Sequence, residues 1–217
     1  MSAPPSRRRP KLAPDPDVRC AIVDAASQSM HEQGVVSIAA VLERARLSTR
    51  AFYRHFESKD QLVAAVVWKM ASRETQRLRT KMADTACPVE AVIAWIDGRL
   101  DLPLDESTEF KLRDPALGGG SKEFLAPELV SPAYDTVLGP LVEQLQRGLE
   151  LGAFADIVPA IAAKSIDGVV WAAERQRAAH HRDRFEARQR TVRFCLRGLG
   201  VAPEMVERYA GDHARAG

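Results

Sequence analysis

Apolar residues recur three and four positions apart along most of this 217-residue chain, and no segment alternates convincingly between apolar and polar positions. That spacing places the apolar side chains on one face of a helix, and it predicts an all-α fold of about nine helices. Long helices are expected near 156–179 and 184–199, with an earlier one from Ser131-Pro132 to Gly152. The residues after Gly200 are expected to fray.

Two short helices joined by a tight turn, followed by the start of a third helix, are predicted between residues 37 and 62. The apolar residues of the first helix, including Val41 and Leu42, fall on one face. Gln61 follows a serine by three residues and completes the sequence pattern of a capping box. Serines occupy the three positions where helix caps are preferred, and these are Ser37, Ser48 and Ser58.

The second short helix has two chemically different faces. Its outward positions carry hydroxyl, guanidinium and phenol groups, which phosphates and DNA base edges accept. Tyr53 could instead be a half-buried core residue, Thr49 a second cap, and the arginines a solvated helical face. The capped turn before this helix and Lys59 after it favour the DNA interpretation. The outward residues are Thr49, Arg50, Tyr53 and Arg54, and the inward residues are Ala51, Phe52 and Phe56.

The run LSTRAFYRHFESKDQL resembles the recognition helix and the start of the fourth helix in the TetR family of bacterial transcriptional regulators. The resemblance covers the first third of the chain and includes the preceding amphipathic helix. It implies an N-terminal helix-turn-helix domain of three helices and a C-terminal helical domain for ligand binding and dimerisation. The residues predicted to contact DNA are Ser37, Ser48, Thr49, Arg50, Tyr53, Arg54 and Lys59.

The chain departs from the family pattern at two positions. Arg46 stands in the turn where the family usually has glycine, and Leu42 stands where it usually has a small alanine. A residue other than glycine at positive φ costs roughly 1 kcal/mol. Either the turn differs from that of the family, or packing offsets its strain.

Positive charge is concentrated at the front of the chain, although the net charge is only +2. Residues 1–14 carry Arg7, Arg8, Arg9 and Lys11 without an acid, and are predicted to form a flexible basic arm. The helix-turn-helix domain is predicted over 15–62 and the second domain over 63–217. From residue 63 onward, 21 basic side chains face 22 acidic ones. This asymmetry favours a nucleic-acid surface at the front.

The sequence offers no pattern for a metal site, a cofactor or a catalytic centre. Cys20, Cys87 and Cys195 are too far apart for a zinc finger, and no nucleophile has a base nearby. The triple glycine Gly118 to Gly120 lacks the lysine and hydroxyl order of a phosphate-binding loop. Neither a signal peptide nor a membrane span is expected, so we place the protein in the cytoplasm.

The predicted second domain has more apolar helix surface than a small domain easily covers. The last two long helices carry Val169, Val170, Val192 and Leu196, and pairing with a second copy would bury such faces in a four-helix bundle. The TetR resemblance implies this two-fold dimer, which suits a palindromic operator. Prolines and glycines break the pattern from 103 to 132, where short helices and a loop are expected.

A ligand site in the second domain has a weaker signal. Aromatic residues at helical spacing are more often core than ligand contacts. The candidates for lining a cavity are Trp95, Phe110, Phe124, Leu141 and Trp171.

These observations lead to one hypothesis and two alternatives. The hypothesis is a homodimeric repressor that binds double-stranded DNA at a palindromic operator and is released by a small apolar molecule. One alternative is a helical DNA-binding dimer controlled by a protein partner. The other is an enzyme or metal protein that retains a helix-turn-helix for assembly.

Overall fold

The computed structural model describes residues 15–33, 36–101, 127–180 and 183–211. These ranges contain nine α-helices and no strand, which confirms the all-α prediction. The predicted basic arm lies outside the described residues, as does most of the segment 103–132. In chain order the helices are α1 Pro16–Gln33, α2 Ile38–Ala45, α3 Thr49–His55, α4 Lys59–Met82, α5 Pro88–Leu100, α6 Pro127–Glu150, α7 Pro159–His180, α8 Arg184–Gly198 and α9 Pro203–Gly211.

The chain divides within α4 into two compact units, Met1–Val66 and Val67–Gly217. In the first unit α1 packs against α2, and Arg44 of α2 donates two hydrogen bonds to the Glu32 carboxylate of α1, at 3.0 and 2.6 Å. The Arg19 guanidinium of α1 lies 4.9 Å from the centre of the Phe56 ring. The core of this unit includes Ile22, Ala26, Met30, Val41, Leu42, Phe52, Phe56, Leu62, Val63 and Val66.

Helix α5 forms the centre of the second unit, because nine of its 13 residues are buried. A helix that is apolar around most of its circumference must be covered on most sides. Accordingly α5 packs against α6, α7 and α8, while α7 also contacts α6 and α8. Helix α9 packs on α8.

Helix α6 begins at Pro127, and the predicted start at Ser131-Pro132 is wrong. Proline suits the first position of a helix, where its missing N–H would have no helical partner. Pro132 and Pro140 both lie inside α6 without ending it.

A side chain from α4 compensates for the second of these prolines. Pro140 has no N–H, so the Thr136 carbonyl lacks its usual helical donor. The Thr75 hydroxyl lies 3.2 Å from the Thr136 carbonyl oxygen and 2.8 Å from the Ala71 carbonyl oxygen of its own helix. Its single proton is therefore shared between α4 and α6.

The prediction that the residues after Gly200 fray is wrong for 203–211, which form α9. Val206 and Ala210 are fully buried. Arg193 and Arg197 of α8 hold the Glu207 carboxylate at 2.9 and 3.0 Å. A short helix with few apolar residues is thus held by packing and by paired arginines.

The apolar faces of α7 and α8 are divided differently from the prediction. Several residues assigned to pairing with a second copy are buried within their own subunit, including Val170, Val192 and Leu196. A different set of apolar side chains on the two helices and just before α7 is exposed. This set, the exposed apolar surface, is Val158, Ile161, Phe185 and Phe194.

Candidate nucleic-acid interface

The first helix of the helix-turn-helix, α2, follows Ser37. Ser37 has the extended backbone of a cap residue, with φ −107° and ψ 124°, and its carbonyl accepts the Val41 N–H at 2.9 Å. Its side chain makes no capping hydrogen bond, so the predicted side-chain cap is wrong here. The exposed hydroxyl does not spend its hydrogen bond on the helix end.

The turn between α2 and α3 is built on a left-handed residue, Arg46, with φ 53° and ψ 43°. The Arg46 N–H donates to the Glu43 carbonyl at 3.1 Å, and the Leu47 N–H donates to the Leu42 carbonyl at 2.9 Å. These two hydrogen bonds define a Schellman motif, which usually has glycine at the left-handed position. Arg46 therefore adopts the glycine conformation, at a strain of roughly 1 kcal/mol.

Helix α3 is anchored at both ends. The Ser48 hydroxyl oxygen accepts the Ala51 N–H at 3.2 Å, which confirms the predicted cap. Phe52 is fully buried and stacks against Phe56, with ring centres 5.7 Å apart. The inward face of this seven-residue helix is thus fixed by two aromatic rings.

The outward face of α3 presents Thr49, Arg50, Tyr53 and Arg54, all exposed. Tyr53 is 60% exposed, so its interpretation as a half-buried core residue is wrong. The Phe52 ring meets the Tyr53 ring edge to face at 5.2 Å and supports it from below. Neither Arg50 nor Arg54 forms an ion pair with the described residues. This face is polar, cationic and accessible.

Helix α4 begins with a variant of the predicted capping box. The Gln61 N–H donates to the Ser58 hydroxyl oxygen at 3.1 Å, as predicted. The Gln61 side-chain oxygen accepts the N–H of Glu57, one residue before the cap, at 2.7 Å. Lys59 is half-buried at the first position of the helix, so it is less open to a phosphate than the α3 arginines.

The predicted ligand-contacting residues do not come together in one cavity of the described residues. Trp95 and Leu141 are fully buried in the interior of the second unit, whereas Trp171 is half-buried in an open groove between α7 and α8. Phe110 and Phe124 lie outside the described residues. The groove has a volume of about 660 Å³, and its lining includes Val169, Ala172, Arg175, Arg190 and Phe194.

A network of buried charges in the second unit was not anticipated from the sequence. Asp167, Glu174 and Arg188 are 1, 7 and 8% exposed. Burial raises the pKa of the Glu174 carboxyl above its usual range, although the Arg177 guanidinium opposes this shift. The only sequence signal was the presence of Asp97 within an otherwise apolar helix.

Ion pairs join these charges across the helices. Arg188 of α8 grips the Asp97 carboxylate of α5 with two hydrogen bonds, at 2.5 and 2.8 Å. Arg99 of α5 donates to Glu74 of α4 at 3.2 Å. The remaining members are Arg77, which donates to Glu74 at 2.8 Å, and Tyr134 of α6, which donates to Asp167 of α7 at 2.5 Å.

The fold and the exposed cationic helix define a class, that of helical proteins with an N-terminal helix-turn-helix for DNA. Residues 22–66 match the family model described as bacterial regulatory proteins, tetR family. This match, together with the shared fold of the structures below, makes the chain a member of the TetR family of transcriptional regulators.

Solved structures share the fold over most of the chain. RolR without ligand is 22% identical, with a TM-score of 0.65 over 88% of this chain and 96% of its own. RolR in complex with resorcinol is 25% identical, with a TM-score of 0.64 over 90% and 94%. FadR from Bacillus subtilis in complex with stearoyl-CoA is 14% identical, with a TM-score of 0.63 over 82% and 97%.

No curated protein matches this sequence. Among the described residues, no helix is both long enough and apolar enough to cross a membrane.

Proposed function

We propose that this protein is a homodimeric repressor whose binding to operator DNA in the cytoplasm is relieved by a small molecule. The observation that carries the proposal is the outward face of α3, which is exposed, cationic and fixed from below by Phe52 and Phe56. A rigid helix with such a face fits the major groove of double-stranded DNA.

The proposed contacts divide into two groups. Thr49, Arg50, Tyr53 and Arg54 enter the major groove and meet base edges or the flanking phosphates. Nearer the helix ends, phosphates meet Ser37, Ser48 and Lys59.

The proposed dimer uses the exposed apolar surface and the adjoining groove between α7 and α8. Ile161 and Phe194 are 63 and 66% exposed, and large apolar side chains left in water at this density are typical of an interface. A two-fold dimer would present two copies of α3 to half-sites about one turn of DNA apart, ~34 Å. The proposed operator is accordingly palindromic.

The proposed effector binds within the second unit and alters the position of α4. This helix contributes residues to both units, so a change in its setting has a direct covalent route to the DNA-binding residues. A switch from 1:99 to 99:1 requires about 5.5 kcal/mol of differential binding. Two proteins with this fold were crystallised with small molecules, RolR with resorcinol and FadR with stearoyl-CoA. Both support a small-molecule effector.

Selection of bound duplexes from a random DNA pool tests the proposal directly. We expect the full chain to enrich a palindromic sequence with two half-sites. A gel-shift titration of the selected duplex should then show one dimer bound per site. Recovery of duplexes without any shared sequence would contradict the proposed repressor.

A further inference from the structure

The buried network of the second unit has hydrogen-bonding capacity that the described residues leave unused. Trp95 Nε1, Arg188 Nη1 and Glu174 Oε1 are buried and have no hydrogen-bond partner among the described residues. Each such atom costs about 1–3 kcal/mol, and native proteins contain few of them. Two of the three atoms are donors and the third is an acceptor.

These atoms belong to one neighbourhood, which Arg99 connects. The Arg99 guanidinium lies 5.7 Å from the centre of the Trp95 ring and 3.7 Å from the Asp167 carboxylate. Glu174 follows Asp167 by two helical turns on the same face of α7, and the Arg99 charge acts on it. Arg188 is held against Asp97, which is two residues before Arg99 on α5.

The stability of the fold does not require this arrangement. Replacing a buried ion pair with well-packed apolar residues is often neutral or stabilising. Clusters of buried charged groups with perturbed pKa values are typical of binding sites.

The charges of the network balance. Its four carboxylates face four guanidinium groups, so neither an anion nor a cation would gain net attraction there. The carboxylates are Glu74, Asp97, Asp167 and Glu174, and the guanidinium groups are Arg77, Arg99, Arg177 and Arg188.

We propose that this neighbourhood is the effector site and that its effector is a small uncharged ring compound with hydroxyl groups. The inference rests on the proposed regulatory function and specifies its ligand. One hydroxyl oxygen accepts the N–H of Trp95 or Arg188, and a hydroxyl proton goes to Glu174. The ring occupies the surrounding apolar interior, to which fully buried Val92 and Ile96 contribute.

Titration calorimetry of the full chain without DNA tests the ligand class. The probes are 1,3-dihydroxybenzene, toluene as a ring without hydroxyls, and benzoate as an anionic ring. We expect the dihydroxybenzene to bind about tenfold more tightly than either other probe, because two hydrogen bonds are added. Equal binding of toluene or benzoate, or no binding of the dihydroxybenzene, would overturn the proposal.

Trp95→Phe tests the residue, because it removes the N–H and keeps an aromatic ring. The measured quantity is the ratio of dihydroxybenzene affinity to toluene affinity, which a general loss of packing would not change. We expect this ratio to fall by about threefold to tenfold in Trp95→Phe and in Glu174→Gln. The control Trp68→Phe, at an exposed tryptophan of α4, should leave it unchanged.

An unchanged ratio in both interior variants would remove the network from the effector site. DNA binding is measured separately, by gel shift of ligand-free protein. A chain that binds dihydroxybenzene but selects no operator would contradict the repressor and leave the ligand assignment standing.

Discussion

Arg54 is the residue on which the DNA-binding proposal is most directly tested. Its guanidinium is exposed on α3, one turn beyond Arg50. We expect Arg54→Ala to weaken operator binding and to lower the salt slope by about one unit if the contact is to a phosphate. A contact to a base would instead relax the preference at one position.

Gel-shift titrations at several salt concentrations measure both effects. Arg147→Ala removes an exposed arginine of α6 and serves as the matched control. Arg54→Ala that keeps the affinity and the sequence preference of the unaltered protein would reject the contact.

Glu174 gives the second unit a specific dependence of stability on pH. Its pKa is raised by burial, so folding favours the protonated carboxyl. The associated stability is complete below the unfolded pKa and is lost as the pH rises through the folded pKa. Glu174→Gln stays neutral, so we expect its stability relative to the unaltered protein to increase from about pH 4 to about pH 7.

Glu207→Gln is the control with the opposite sign. The Arg193 guanidinium lowers the pKa of Glu207, so the native carboxylate stabilises the fold above the unfolded pKa. We expect Glu207→Gln to lose relative stability over the same pH interval. Denaturant titrations of ligand-free protein check both, and parallel pH profiles for the two variants would show that burial of Glu174 has no such effect.

At the scale of the element, α6 contains two glycines in contrasting settings. A Cβ on Gly148 would lie 2.1 Å from two ring atoms of Phe154, whereas a Cβ on Gly139 would meet nothing within 4 Å. We expect Gly148→Ala to lower the free energy of unfolding by about 1–3 kcal/mol, since the ring must move. Gly139→Ala should raise it by about 0.5–1 kcal/mol, because alanine favours the helix.

Denaturant unfolding measures both glycine variants. The two substitutions add the same methyl group to the same helix, so helix propensity alone would give them the same sign. Stabilisation by Gly148→Ala would show that the Phe154 ring is not fixed over the helix.

The helices could be predicted wherever caps and apolar periodicity agree. Ser48 and Ser58 mark real helix starts, and Pro88 begins α5. Helix α9 was missed because only Val206 and Ala210 give it a buried face. Its other support comes from arginines of α8, and a sequence does not state which distant charges pair.

The candidate site was predictable to a different extent in the two units. The outward face of α3 follows from local spacing, because all its residues lie on one short helix. The buried network could not be predicted, since Glu74, Asp97, Asp167 and Arg188 come from four helices. Only the tertiary arrangement brings such residues together.

At the scale of the whole molecule, the proposed dimer depends on the exposed apolar surface. Ile161 is 63% exposed, so Ile161→Asp should leave the subunit folded. We expect this variant to sediment as a monomer, because an unpaired charge would be buried at the interface. Loss of the dimer should also weaken operator binding.

The matched control is Trp68→Asp, at an exposed apolar residue of α4. It should remain dimeric in sedimentation. A dimeric Ile161→Asp would place the interface on another surface. Val170→Asp is a poor test, because Val170 is buried and its substitution would damage the subunit itself.

The hydroxyl that Thr75 divides between two carbonyls has a mechanical consequence. Because Pro140 leaves one acceptor open on α6, the proton can settle on either helix without being left unbonded. We expect α4 to slide a short way past α6 at little energetic expense at this point. A joint of this kind would let the effector's small displacement travel along α4 instead of being absorbed where it starts.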